Sequence, residues 1–406
     1  MQGKRLRGRT GTFPFFFVKK GTVYVVIRYS SYFYETNMNI KNIRMMKRRF
    51  FCFVAAAAAA MAGWPGAAGA CTGITFRAKD GACVVARTIE WGGSDLNSRY
   101  VVVPRGYMQR SMVPGGTDGM LFSARYGYVG LSVEREEFVA EGLNEAGLSA
   151  GLFYFPGYGQ YEEFDPARRS ASIADLQLVS WILGGCRTVE EVKEAVEKVH
   201  VVAVDPRAST AHWRFADASG RQIVLEIVGG RPRFYENTLG VLTNSPGFEW
   251  QLTNLNNYVN LYSGSAPAHR LGAAELSPFG AGSGMLGIPG DVTPPSRFVR
   301  AAFYQATAPQ PDSALNAVLQ CFQILNNFDI PVGVEFAEGK IPADIPSATQ
   351  WTSATDMKNG KIYYRTMYNS AIRSFDLRSI DFSRVKYLSR PLDEVRRQPV
   401  VPVPVG

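Results

Sequence analysis

Cys71-Thr-Gly-Ile-Thr-Phe, the turn Lys79-Asp80-Gly81 and Ala82-Cys-Val-Val-Ala-Arg-Thr-Ile read in order as a strand, a reversal and a returning strand. The chain from Cys71 onward therefore opens with a hairpin. Tyr100-Val-Val-Val, the run Leu121 to Val129, and Leu148 to Phe155 continue the β pattern, the last closed by Pro156-Gly157. Helices follow. Ile173 to Leu183 has apolar residues at helical spacing, and Thr188-Val-Glu-Glu191 is a capping box ahead of a Val189, Val192, Val196, Val199 stripe. Ala211 to Ala216 and Gln222 to Val228 form a second predicted hairpin around Asp217-Ala-Ser-Gly220. Two further helices are expected over Arg297–Gln305 and Asp312–Asn326. Thr349 to Ala354 and Lys361 to Thr366 flank Lys358-Asn359-Gly360, a strong hairpin signal. Strands and helices come in blocks and do not alternate one by one, which favours α+β with antiparallel sheets over a doubly wound fold.

Residues 71–395 are expected to form one domain, followed by a loose, proline-rich tail over 396–406. Ser277–Ser296 is rich in Gly, Pro and Ser and reads as a linker or as a long loop beside a site.

Upstream of Cys71 the composition changes. The formal charge of +9 sits in residues 1–70, which hold twelve Lys or Arg and one acid, Glu35. The remainder holds 32 basic and 34 acidic residues, a net of −2, and so lacks the electrostatic footprint of a nucleic-acid binder. Met45-Met46-Lys47-Arg48-Arg49, the apolar run Phe50–Ala62 and the small-x-small sequence Ala68-Gly69-Ala70 follow the order of a secretory signal peptide over 45–70, with Cys71 directly after the cleavage site. The alternative is an uncleaved N-terminal anchor, although the run is short for a bilayer span. Residues 1–44 fit neither pattern. They read as a non-native or unstructured extension, with translation beginning at Met45 or Met46. The expected location is periplasmic or secreted.

Five cysteines (Cys52, Cys71, Cys83, Cys186, Cys321) without a C-x-x-C spacing, and only three histidines (His200, His212, His269), argue against a zinc site and leave little room for a Cys-His pair. A chain that begins with Cys71 needs neither. Its α-amine, with a pKa of roughly 7.7–8, can take the thiol proton at neutral pH, given nearby cations for the thiolate and donors for an oxyanion. Two other fates of Cys71 remain open from sequence. One is lipid acylation, because Ala68-Gly69-Ala70-Cys71 is a degenerate lipobox. The other is a disulfide with Cys83 on the adjacent predicted strand. Cys83, Cys186 and Cys321 otherwise read as core thiols, and the three histidines as structural.

Five motifs in order carry a family resemblance over residues 71–380. Cys71-Thr-Gly-Ile with Arg87-Thr-Ile-Glu90-Trp91 is the first, and Asn144-Glu145-Ala-Gly147-Leu148 running into Tyr154-Phe-Pro-Gly157 is the second. Val241-Leu-Thr-Asn244-Ser-Pro246, Pro295-Ser296-Arg297-Phe298, and Thr349-Gln350-Trp351-Thr with Tyr364-Arg365-Thr366 complete the set. Together they resemble the choloylglycine hydrolase and penicillin V acylase family of N-terminal-nucleophile amide hydrolases. The resemblance implies a four-layer αββα sandwich and hydrolysis of the linear amide of a small N-acyl compound. It also implies no cofactor and no metal, and a homo-oligomer, tetramers being common in that family. It assigns Cys71 as nucleophile, Arg87 to the thiolate and Glu90 to the N-terminal amine or its neighbour. Asn244 and the Tyr154 backbone N–H become oxyanion donors, and Arg297 a second cation. Tyr154 falls where bile-salt hydrolases usually carry Asn and penicillin V acylases often carry Tyr. Glu90 is longer than the Asp usual at its position.

Overall fold

Asp80 and Gly81 close the first hairpin as the sequence predicts. Asp80 Oδ1 accepts from the Ala82 N–H at 2.9 Å, and Gly81 takes φ +84°, a left-handed conformation that costs a glycine little. The structure is a computed structural model describing residues 69–203, 210–336, 338–342 and 345–405, together with the strand backbone of 15–19, 22–29 and 32–39.

In chain order the main strands are β1 (Gly69–Arg77), β2 (Cys83–Trp91), β3 (Arg99–Val103), β4 (Tyr128–Ser132), β5 (Val139–Asn144) and β6 (Ser149–Tyr154). Helices α1 (Leu178–Gly185) and α2 (Val189–Val196) follow, then β7 (Ala211–Ala216), β8 (Gln222–Val228) and β9 (Arg231–Glu236). Helices α3 (Phe248–Asn254), α4 (Pro294–Thr307) and α5 (Ala314–Leu325) precede β10 (Thr349–Asp356), β11 (Lys361–Thr366), β12 (Asn369–Asp376) and β13 (Leu388–Pro391).

These strands build two antiparallel sheets. One has the order β12-β11-β10-β2-β1, and the other β9-β8-β7-β6-β5-β4-β3-β13. Helices α4 and α5 pack across the first sheet on β1, β2 and β10, while α1 packs on β5 and β6 of the second. The chain is thus the expected αββα sandwich. Its central strands are buried on both faces, so β5 and β10 carry no exposed residue at all. That is why their sequences do not alternate in polarity as a half-solvated antiparallel strand does.

Local differences from the sequence reading have local causes. The helix expected from Ile173 begins only at Leu178, because Ser172–Ala174 pairs in parallel with His200–Val202 and a 3-10 turn intervenes. The capping box at Thr188 is half formed. Thr188 Oγ1 accepts the Glu191 N–H at 3.2 Å, but the Glu191 carboxylate turns back to Arg187. The run 121–129 is two strands separated by residues 124–127, and β5, β9, β12, β13 and α3 were not anticipated. Ser277–Ser296 is a largely exposed loop up to the start of α4, not a domain linker.

Met1–Gly66 and Ala67–Gly406 form two units. In the first, which the sequence reads as a non-native or unstructured extension over residues 1–44, Phe15–Lys19, Thr22–Tyr29 and Tyr32–Asn39 make an antiparallel three-stranded sheet. The basic and apolar parts of the expected signal sequence, and Ala68 of its cleavage site, lie outside the described residues. Cys71, Cys83, Cys186 and Cys321 are free and buried. Cys71 pairs with Ile89 and Cys83 with Arg77, at opposite ends of the hairpin. Six rungs at about 3.4 Å separate them, far beyond disulfide reach.

Candidate active site

Cys71 is the third residue of β1, and the strand does not begin with it. Gly69 pairs with Trp91 and Ala70 with Glu90, so the ladder crosses the expected cleavage point. In this continuous chain the Cys71 nitrogen is a peptide N–H, and the side chain is only 3% exposed.

Four predicted partners converge on it. Arg87, one strand over on β2, points Nη2 at the Cys71 sulfur at 2.7 Å. Its Nε donates to the Thr88 carbonyl at 3.1 Å, and Nη1 donates to the carbonyls of Ala140 and Leu152. The guanidinium lies 4.1 Å from the centre of the Phe153 ring, a cation–π contact. Asn244 Oδ1 accepts the Cys71 N–H at 2.8 Å and Arg297 Nη2 at 2.7 Å. Arg297, in the first turn of α4, also donates through Nη1 to the Cys71 carbonyl at 2.6 Å and to Thr72 Oγ1 at 2.8 Å. The Tyr154 backbone N–H at the end of β6 is directed at the Cys71 thiol. Asn244 was expected to offer its amide to an oxyanion. Its Nδ2 carries two hydrogens, and the Tyr154 carbonyl takes one at 2.7 Å.

Burial pushes the Cys71 thiol up from its usual range. Arg87 is the main opposing influence, Glu90 adds to the rise, and the Tyr154 N–H and Arg297 work against it. Glu90 sits opposite Ala70 and makes no hydrogen bond to Cys71. It is 1% exposed, and the Arg297 charge and the Thr88 side chain are the main groups that favour its ionised form. Burial, opposed chiefly by Arg297, pushes it up to about 8. Glu335, on a 3-10 turn over Val332–Glu335, is a second acid near this end. Burial pushes it up to about 7, against Arg297.

Beneath Arg87 lies a buried charge stack that the sequence reading missed. Glu141 Oε2 is 4.0 Å from Arg87 Nη1, and Glu141 Oε1 accepts from Arg214 Nη2 at 2.6 Å and from Ser149 Oγ at 3.2 Å. All three charged side chains are at most 1% exposed. With Cys71 as a thiol the stack carries one excess positive charge; with a thiolate it is balanced. The available signal was a full charge in the middle of a strand, Glu141 in β5 and Arg214 in β7. Among the described residues no cluster of three His, Cys, Asp or Glu side chains could hold a metal.

Residues 71–387 match the family described as linear amide C-N hydrolases, choloylglycine hydrolase family. The chain belongs to the choloylglycine hydrolase family. It is 30% identical over 324 residues to a bile salt hydrolase/transferase of Clostridium perfringens, covering 78% of this chain and 95% of that one. It is 34% identical over 275 residues to a bile salt hydrolase/transferase of Lactiplantibacillus plantarum, covering 66% and 82%. A solved variant of the conjugated bile acid hydrolase of C. perfringens superposes with TM-score 0.71 at 28% identity, over 82% of this chain and all of that one. The penicillin V acylase of Agrobacterium tumefaciens shares the fold, with TM-score 0.63 at 22% identity over 79% and 92%. As a member of the choloylglycine hydrolase family, the chain is a hydrolase of carbon–nitrogen bonds other than peptide bonds, in linear amides.

Proposed function

We propose that this hydrolase is exported, loses residues 1–70, and cleaves N-acyl amides through a thioester on Cys71. The observation that carries the reading is the convergence of Arg87 on the sulfur and Asn244 on the nitrogen of the same residue, at 2.7 and 2.8 Å. Cleavage before Cys71 turns that nitrogen into an amine, whose Asn244 partner is already in position.

The amine takes the Sγ proton, and the thiolate beside Arg87 attacks the amide carbon. The oxyanion meets the second Asn244 Nδ2 hydrogen and the Tyr154 N–H. The C–N bond then breaks, the protonated amine of Cys71 gives its proton to the leaving nitrogen, and a thioester remains. Water gives a proton to the Cys71 amine as it attacks the thioester, which releases the carboxylic acid and restores the thiol.

For substrate, removal of Gly69 and Ala70 vacates the strip alongside the Trp91 and Tyr154 rings, which meet edge to face at 6.0 Å. Two aromatic walls favour a flat aryl acyl group such as phenoxyacetyl, as in penicillin V. The bile salt hydrolases at 30–34% identity favour conjugated bile salts as the second candidate. Bare apolar side chains at Val259, Leu271, Phe279 and Leu286 support a homo-oligomer, which sedimentation tests.

The deciding experiment assays the processed chain and its Cys71→Ala variant on penicillin V, conjugated bile salts and N-acyl homoserine lactones. Turnover lost with Cys71 and a mature mass beginning at unmodified Cys71 are expected. Turnover by Cys71→Ala refutes the mechanism. A lipid adduct on the Cys71 sulfur makes the protein an anchored binding or structural protein instead; the sulfur's burial against Arg87 favours the enzyme.

A further inference from the structure

His212, on β7, is fully buried between aromatic rings. It stacks on Phe155 with centroids 4.4 Å apart and planes at 7°, and it meets the edge of Phe153 at 6.1 Å. Both ring nitrogens face acceptors. Nε2 is 2.9 Å from the Thr243 carbonyl oxygen, and Nδ1 is 3.2 Å from Glu226 Oε1. The same Glu226 oxygen accepts the Phe248 N–H at 2.7 Å.

A neutral imidazole has one N–H and one lone pair, so it can serve only one of these contacts. The carbonyl only accepts, so Nε2 carries a hydrogen. A carboxylate also only accepts, so a second proton lies at the Nδ1–Oε1 contact, on nitrogen as imidazolium or on oxygen as the acid. Without it, two lone pairs would face each other in a site closed to water, and the pair would carry a net negative charge. With it, the pair is neutral as a unit, which is the form burial favours. The charged and titratable groups of the neighbouring elements are Glu226 on β8, Arg214 two residues along β7, Tyr235 on β9 and Glu249 on α3. On the β6 side the ring meets Phe153 and Phe155.

The contact grips both ends of one short segment. Thr243 and Phe248 bracket Asn244, the cis Ser245–Pro246 bond and Gly247. Glu226 comes so close that a Cβ on Gly247 would lie 3.1 Å from its Oε2. We propose that His212 and Glu226 hold one shared proton that clamps the 243–248 segment at both ends, and thereby position Asn244 against the Cys71 nitrogen. They touch neither nucleophile nor substrate and act as positioning residues. The proposal rests on the reading of Cys71 as nucleophile.

The test uses the processed enzyme. His212→Phe keeps the stacking and removes both hydrogen bonds. It is expected to lower kcat about 10- to 100-fold with KM changed less than about threefold, the scale of one misplaced polar group in the transition state. Trp213→Phe, the next residue on the strand and in the opposite core layer, serves as the control for lost packing and is expected to retain kcat. If His212→Phe does not fold, Glu226→Leu is read in the same way, since it removes the oxygen that meets both the ring and the Phe248 N–H. Wild-type kcat in a folded His212→Phe or Glu226→Leu overturns the positioning role. Nitrogen-15 spectra of the processed enzyme are expected to show His212 Nδ1 protonated or hydrogen-bonded to a proton on Glu226; an Nδ1 with the shift of a pyridine-type nitrogen that accepts no hydrogen bond overturns the shared proton. If the processed enzyme without substitutions hydrolyses no N-acyl amide, the proposed function fails. The nitrogen spectrum and deuterium uptake by 243–248 in His212→Phe then decide this proposal without it, unchanged uptake overturning it.

Discussion

Ala70 lies directly opposite Glu90 in the β1–β2 ladder, so the residue that must leave for Cys71 to become N-terminal stands on the same face as a buried carboxylate. In the uncleaved chain that acid is held near neutrality of charge by burial. A cut before Cys71, as proposed, would add an amine to Arg297 as a second positive group near it.

The uncleaved chain should therefore lose stability as pH rises. The folded Glu90 titrates at about 8, above the usual 4.5, so the native state keeps a proton that the unfolded state releases. Stability is greatest below about pH 4.5 for this group and falls until about pH 8, by on the order of a few kcal/mol. Glu335, pushed up to about 7, acts in the same sense. Urea denaturation of the uncleaved Cys71→Ala chain across this range checks it. Glu90→Gln should flatten most of the slope, and an unchanged slope would show that Glu90 is not its source.

Arg87 should set the reactivity of the processed thiol. Removing a guanidinium 2.7 Å from the sulfur takes away the main cation favouring the thiolate. In Arg87→Ala the pH profile of iodoacetamide alkylation at Cys71 should move up by about 1–2 units, and Arg87→Lys should fall between it and wild type. Coincident profiles would refute the assignment.

The Glu141–Arg214 pair should matter for folding as a pair. Glu141→Ala leaves two buried guanidinium groups without their shared acid, and should cost about 3–5 kcal/mol. Replacing both, Glu141→Leu with Arg214→Met, should cost less than the single change. Calorimetry on the three proteins checks the order; a double variant worse than the single one contradicts it.

Gly69→Leu should unseat the end of β1 in the uncleaved chain. A Cβ at that position would meet the Trp91 ring at 2.9 Å and the Tyr154 ring at 3.0 Å. Limited proteolysis should then cut just before Cys71 faster than in wild type, while the rest of the domain keeps its melting temperature. Equal protection would mean that the strip tolerates a side chain.

Much of the site was legible because its chemistry is local in sequence. Cys71 follows a small-x-small site, Arg87 and Glu90 share one short motif, and Asn244 and Arg297 stand in two others. The hairpins declared themselves through Asp80-Gly81 and Asn359-Gly360. Glu141, Arg214 and Glu335 were not legible. Each is a single charge with no motif around it, and its meaning depends on what faces it from another strand or loop. His212 read as an ordinary core histidine, because its two acceptors come from residues 14 and 31 positions away.

The sequence by itself determined the class of protein: five ordered motifs that resemble the choloylglycine hydrolase family, and a block order of strands and helices that suits stacked antiparallel sheets. These follow from residue type and short spacing, which chain connectivity preserves. Tertiary structure alone decided that β1 runs through the expected cleavage point, that Glu90 is buried opposite Ala70 within reach of the Arg297 charge, and that Arg87 rests on a buried acid. Those are facts about charge and burial, and burial is set by which elements meet across the sandwich.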